Sequence, residues 1–251
     1  MRLLAVLALL ALAVPGTPRA ELASRSETAP PVTVAIFGDS LAEGLWGALH
    51  RHFAGERGVR IFNATRAATG FNADSYDEAL DRLLARGRID LLIVQTGAND
   101  RQRAVALDGR DKAAFGSPRW HSFYSQRLTY FLARAQRQGM PVLWVGMPVM
   151  RDAPFDRGMR LISRLHQDHA ERHGALFLDI AHFTADAEGA FVERLAAGAG
   201  RQRRFRHDDG VHFWEFGYDR VAAHVLATIR ARYPRLLPQG RARAELPSHR
   251  P

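Results

Sequence analysis

Residues 32–53 read VTVAIFGDSLAEGLWGALHRHF. The first part, Val32 to Phe37, is a short β-branched, apolar run that stops at Gly38, and the second, Leu41 to Phe53, has helical composition interrupted by Gly44 and Gly47. A strand with no polar face has nothing to offer water, so it belongs in a sheet covered on both sides. The spacing predicts a buried strand, a tight turn at Gly38-Asp39-Ser40, and a helix that the two glycines are expected to break.

The same alternation continues along the chain. Val59 to Phe62 and Ile89 to Val94 are further short apolar runs, separated by Tyr76 to Ala85, where Leu80, Leu83 and Leu84 fall at helical spacing. Arg101 to Arg119 is irregular and rich in Arg, Asp and Gly. Trp120 to Gln138 reads as a helix with Phe123, Leu128, Phe131, Leu132 and Ala135 apolar, closed by Gly139 and Pro141. Val142 to Val145 is a fourth strand, Phe155 to His173 a helix closed by Gly174, and Ala175 to Ile180 a fifth strand. Glu215 to Arg232 is the last helix, with Val221, Val225, Leu226 and Ile229 on one face. Apolar strands alternating with helices indicate one three-layer α/β domain, from about Val32 to Tyr233, around a mostly parallel five-stranded sheet. The Arg- and Pro-rich tail, 234–251, is expected to be loose.

The first 20 residues read differently. Arg2, the apolar run from Leu3 to Val14, then Pro15, Gly16 and a small residue at Ala20 have the layout of a secretory signal peptide. The run of 12 is too short for a bilayer, which needs roughly 20 residues. Residues 21–31 are polar and proline-containing and read as a linker. An exported protein, periplasmic or extracellular in a bacterium, with no stable membrane anchor, is the expectation.

The chain has no cysteine, which excludes a lipid-modified N-terminal cysteine, disulfides, thiolate metal sites and a cysteine nucleophile. Its net charge of +9 rests almost wholly on arginine, Lys112 being the sole lysine. Such charge could favour an anionic polymer. No nucleic-acid-binding motif accompanies it, and no nucleic-acid partner is expected.

Four loops that follow strands or precede the last helix carry chemistry. Loops at the carboxyl ends of parallel strands are where α/β proteins place their sites. Phe37-Gly38-Asp39-Ser40-Leu41 sets a serine at a helix N-terminus, where backbone N–H groups favour developing negative charge. Alone, Gly-Asp-Ser reads more readily as an ordinary helix cap. It is also not the G-x-S-x-G elbow, since Ala42 stands where the second glycine would be. Ala68-Thr69-Gly70-Phe71 offers a glycine whose N–H a ligand could approach closely. Gln95-Thr96-Gly97-Ala98-Asn99-Asp100 offers a side-chain amide able to donate to an oxyanion, or simply a turn. His207-Asp208-Asp209-Gly210-Val211-His212-Phe213 sets Asp209 three residues before His212. On a turn their side chains can meet, so that the carboxylate fixes the imidazole tautomer and leaves the other nitrogen to take a proton from a serine. A metal held by His207, Asp208, Asp209 and His212 is the rival there.

Taken together, Gly38-Asp39-Ser40-Leu41, Gly70, Gly97-Ala98-Asn99-Asp100 and Asp209-Gly210-Val211-His212 resemble, in order and rough spacing, the motifs of the SGNH (GDSL) hydrolases. Asn99-Asp100-Arg101-Gln102, Phe115-Gly116-Ser117 and Trp144-Val145-Gly146-Met147-Pro148 resemble an exported bacterial subfamily of them whose substrates are unassigned. The resemblance implies a flavodoxin-like α/β/α fold and a serine esterase that uses no cofactor and no metal. It implies Ser40 as nucleophile, His212 as base and Asp209 as its orienting carboxylate. The oxyanion hole would be the Ser40 and Gly70 N–H groups with the Asn99 amide. Asp39, Asp100, Arg101, Gln102 and Arg151 are candidate substrate contacts, and the Arg101–Arg119 segment a candidate lid or substrate wall. His166, His169 and His173, at helical spacing, are expected on a solvated helix face. The expected substrate is an acylated small molecule or polysaccharide, with acyl transfer by the same triad and a non-catalytic envelope-binding role as the competing readings. Oligomeric state is not legible.

Overall fold

The computed structural model describes residues 30–237 except 73, 74 and 199. The signal-peptide reading, most of the linker and the tail beyond residue 237 lie outside the described residues.

Strands β1 (Val32–Gly38), β2 (Val59–Thr65) and β3 (Leu91–Gln95) alternate with helices α1 (Ser40–His52) and α2 (Ser75–Leu84). A two-residue hairpin, β4 (Ala104–Val105) and β5 (Lys112–Ala113), follows, then α3 (Pro118–Arg137), β6 (Val142–Val145), α4 (Ala153–Arg172) and β7 (Leu176–Leu178). A 3-10 turn at His182–Thr184 and a second small hairpin, β8 (Arg194–Ala196) and β9 (Gln202–Arg204), lead to α5 (Glu215–Arg232). The central sheet is parallel throughout, in the order β2-β1-β3-β6-β7. Helix α1 packs against α5, and α3 against α4. Phe37, at the end of β1, meets Tyr76 of α2 and Phe131 of α3, with ring centroids 5.0 and 5.2 Å apart.

The expected three-layer arrangement and the five strands are present. Three local expectations are not met. Helix α1 runs unbroken through Gly44 and Gly47. At Gly44 a side chain would collide with the Tyr218 ring, its Cβ falling 2.0 Å away, so the glycine lets α5 lie against α1 rather than ending the helix. The irregular segment contains β4 and β5, too short to show an alternation in sequence. Residues 234–237 are ordered against the domain, because Leu237 is packed into the core, burying apolar surface that holds the preceding turn in place. No helix among the described residues is long and apolar enough to cross a membrane.

The order of strands fixes where a site can form. The chain steps from β1 outward to β2, then returns to β3 on the other side of β1. Connections therefore leave the carboxyl ends of β1 and β3 in opposite directions and open a crevice between them. Ser40 follows β1, and Asn99 lies in the loop after β3.

Candidate active site

At the end of β1 the backbone must turn sharply beside β3. Gly38 pairs with Gln95 in the parallel ladder and has φ of +146°. A Cβ there would fall 1.8 Å from the Gln95 carbonyl oxygen, so only glycine fits. Asp39 then caps α1, its Oδ1 accepting the Leu41 N–H at 3.0 Å. Its Oδ2 accepts the N–H groups of Gly97 and Ala98, each at 3.1 Å. One carboxyl thus ties the helix that begins at Ser40 to the loop that carries Asn99. Burial outweighs these donors and pushes the Asp39 carboxyl up to about 6.

The second loop leans on the third. Asn99 Nδ2 donates to the Thr69 carbonyl at 3.2 Å, leaving its other amide hydrogen for a ligand. A Cβ on Gly70 would meet Asp100 Oδ1 at 2.5 Å, so here glycine is required by close approach and not by backbone angle. Among the described residues, neither the Ser40 nor the Gly70 N–H donates to a protein acceptor. Two backbone donors and one amide donor are thus available in the β1–β3 crevice.

Ser40 Oγ lies 2.7 Å from His212 Nε2, and His212 Nδ1 lies 2.8 Å from Asp209 Oδ2. Asp209 Oδ1 also accepts the N–H groups of Val211 and His212, at 2.8 and 2.9 Å, which folds the loop so that carboxylate and ring face each other. Partial burial opposes the charge on Asp209, but the His212 ring and these two N–H groups outweigh it and hold the carboxyl well below the usual carboxylate range. The His212 ring is therefore set to present Nε2 to the serine.

Sequence reading missed what supports this loop. Arg206 is wholly buried. Its guanidinium donates to the carbonyls of Val149, Gly210 (3.4 Å), Val211 (2.7 Å) and His212 (3.3 Å), and its Cζ lies 4.4 Å from the centroid of the Phe213 ring. With carbonyls in place of a carboxylate partner, burial lowers its pKa to about 10, still charged at neutral pH. Little in the sequence singles it out among so many arginines; only its position between an apolar Phe205 and the 207–213 loop hints at burial.

Three candidate substrate contacts are engaged within the protein. Asp39 and Asp100 have no exposed surface and cannot touch a ligand directly. Asp100 accepts the Asn72 N–H and the Tyr124 hydroxyl, each at 3.0 Å, and burial pushes its carboxyl up to about 7. Arg151 donates to the Asp208 carbonyl at 2.7 Å, pairs with Glu193 and stacks on Phe191, bracing the 207–213 loop from outside. Arg101 lays its aliphatic stem against Gly158 of α4. Gln102 is different: it lines a cleft of about 550 Å³ together with Thr69, Gly70, Asn72, Asn99 and Arg103, so part of the Arg101–Arg119 segment does wall a cavity.

His166 and His169 face α3 and are buried instead of solvated; His173 caps the helix end. The Tyr124 hydroxyl donates to Asp100 and must accept from His166 Nε2, 2.7 Å away, leaving His166 Nδ1 buried and unpartnered. Burial drives this imidazole down to about 3, so it is neutral. Among the described residues, no group of three or more His, Cys, Asp or Glu side chains converges as metal ligands would. Asp208 turns to Arg204, away from the two histidines beside Asp209.

The backbone resembles a series of solved structures. A lipase/acylhydrolase from Enterococcus faecalis superposes with a TM-score of 0.56 at 19% identity, over 80% of this chain and 96% of that one. A GDSL-like lipase from Bacteroides thetaiotaomicron gives 0.56 at 16% identity, over 81% and 92%. An acetyl xylan esterase gives 0.55 at 16% identity, over 79% and 100%. No curated protein matches the chain in sequence. The fold is that of the SGNH hydrolases. Residues 33–228 match the family described as Protein of unknown function (DUF459), and the chain belongs to that family.

Proposed function

We propose that this protein is a serine esterase, exported from the cell, that removes short acyl groups, acetyl above all, from an envelope or extracellular polysaccharide. The observation that carries the esterase reading is the unbroken relay from Ser40 Oγ through His212 to Asp209, at 2.7 and 2.8 Å. Export is supported by the signal-like pattern of residues 1–20. The acetyl preference is supported by the structural neighbour that is named an acetyl xylan esterase.

In this reading His212 Nε2 takes the Ser40 proton as Oγ attacks the ester carbonyl. The tetrahedral oxyanion sits among the Ser40 N–H, the Gly70 N–H and the free amide hydrogen of Asn99. Collapse expels the alcohol, which receives the proton from His212. Water then attacks the acyl-serine in the same way and releases the carboxylic acid. Asp209 stays ionised throughout and steadies the imidazolium.

The test is hydrolysis of p-nitrophenyl acetate, butyrate and octanoate by the wild type beside Ser40→Ala. Activity highest on acetate and absent from the variant is the expected result. Hydrolysis that persists in Ser40→Ala would refute the assignment of the nucleophile.

A further inference from the structure

We propose that the cleft beside Gly70 and Asn99 is a subsite for a hydroxyl-bearing carboxylate carried by the ester substrate, a sugar acid in the simplest form. The inference rests on the esterase reading, because the cleft begins at two of its oxyanion donors.

The cleft wall is built by the β4–β5 hairpin. Ala104 pairs with Ala113 and both are buried, so alternation turns Arg103 and Val105 to the other face, and Lys112, paired with Val105, to the same face. All three line the cleft. The wall is held firmly: buried Trp120 donates to the Gln102 carbonyl and buried Arg127 to the Val105 carbonyl, both at 2.9 Å. Rigid support of this kind lets exposed cations keep one geometry.

The lining contains two cations, Arg103 and Lys112, and no carboxylate. Among the described residues neither cation is within ion-pair distance of an Asp or Glu, whereas Arg119 next along the chain is matched to Asp111 at 3.0 Å. The one lysine of the chain is thus a compact ammonium facing this cleft. A second observation points to a ligand. The rest of the lining includes the neutral polar residues Thr69, Asn72, Asn99 and Gln102. Hydroxyl and amide side chains of this kind both donate to and accept from ligand hydroxyls. Anion and hydroxyl together describe a sugar acid better than a fatty acyl chain. The volume, about 550 Å³, is within the range of ligand-sized sites.

The test uses two pairs of esters, each differing only in charge: acetylated methyl glucuronoside against its uncharged methyl ester, and p-nitrophenyl hemisuccinate against its methyl ester. The first places the carboxylate on the alcohol side, the second on the acyl side. The readout is the ratio of kcat/KM, charged over neutral, within each protein. The wild type should favour the charged member of the sugar pair by about three- to ten-fold, the worth of two solvent-facing ion pairs. That ratio should fall toward one in 0.5 M salt and in the Arg103→Gln/Lys112→Gln double variant. A preference confined to the hemisuccinate pair would move the anion to the acyl side and overturn the sugar-acid assignment. A ratio near one in both pairs, or one unchanged by salt and by the double variant, would overturn the subsite. Hydrolysis of p-nitrophenyl acetate by the wild type separates either failure from failure of the esterase reading. Were no ester cleaved, glucuronate titrated by NMR into wild type and double variant would still decide: binding to the first alone supports the subsite, and equal or no binding refutes it.

Discussion

Arg206, which has no exposed surface, donates its Nε–H to the carbonyl oxygen of His212 at 3.3 Å. The proposed base is therefore gripped from behind by a buried cation as well as from the front by Asp209. Removing the guanidinium leaves the Val149 and Val211 carbonyls without donors, while those of Gly210 and His212 keep the backbone N–H groups of Arg151 and His207. Arg206→Met should cost about 2–5 kcal/mol of unfolding free energy, since each buried carbonyl left unpaired costs about 1–3 kcal/mol. Arg206→Lys keeps the charge but not the fork of donors, so it should recover part of that stability while kcat stays depressed. Denaturant unfolding beside steady-state kinetics checks both, and a methionine variant as stable as the wild type would show that the loop holds itself.

Asn99→Ala removes one proposed oxyanion donor and the 3.2 Å tie to Thr69. The expected effect is a fall of roughly 10²–10³ in kcat, with KM little changed, because the donor acts on charge that develops only in the transition state. A rise in KM at unchanged kcat would instead make Asn99 a ground-state contact.

Much of this site was legible because its parts are short-range. The strand endings at Gly38 and Gln95, the helix-start signal at Asp39 and the three-residue interval between Asp209 and His212 are all local patterns, and the parallel sheet brings local patterns to one edge. Roles that depend on contacts across the chain were not legible. Asp39 and Asp100 look like exposed acids until the sheet is assembled, when each accepts N–H groups from another loop and loses contact with solvent. His166 and His169 share a helix whose polar composition suggests water, yet Tyr124 and Thr129 of α3 receive them. The Arg103–Lys112 cleft was hidden because a two-residue hairpin leaves no periodicity to read.

Gly70 differs from an ordinary turn glycine in that its φ is unremarkable while its space is full. Gly70→Ala would set a methyl 2.5 Å from Asp100 Oδ1 and 3.2 Å from the Asn99 carbonyl oxygen. Backbone has to move, at a cost of about 1–3 kcal/mol, and the movement displaces Asn99. The variant should fold, with kcat reduced more than stability alone explains. Gly38→Ala is harsher, its Cβ falling 1.8 Å from the Gln95 carbonyl with φ also unfavourable, and should yield little folded protein. Circular dichroism melting of the two variants ranks them, and the reverse order would contradict the packing described.

The buried acids and the buried imidazole pull stability in opposite directions with pH. Asp100 has a pKa near 7 when folded against 3.8 as an ordinary carboxyl, so the folded state holds its proton where the unfolded chain has lost it. Its contribution is complete below about pH 3.8 and is lost as pH rises through 7. His166, about 3 when folded against 6.5, contributes fully above pH 6.5 and loses that contribution as pH falls toward 3. Burial also lowers His169 and His224, so the wild-type profile mixes several groups, and comparison with variants isolates each. Relative to wild type, Asp100→Asn should gain stability as pH rises from about 4 to 8, and His166→Gln should gain it as pH falls from about 6.5 to 4. Each change is on the order of a few kcal/mol, since a tenfold difference in proton affinity between the folded and unfolded chain is worth about 1.4 kcal/mol. Unfolding free energies measured from about pH 4 to 8 on the three proteins test this. Parallel curves would mean that Asp100 and His166 do not change protonation on unfolding. An Asp100→Asn curve that instead falls relative to wild type as pH rises would mean that the carboxylate is stabilised ionised, by the Asn72 N–H and the Tyr124 hydroxyl, despite its burial.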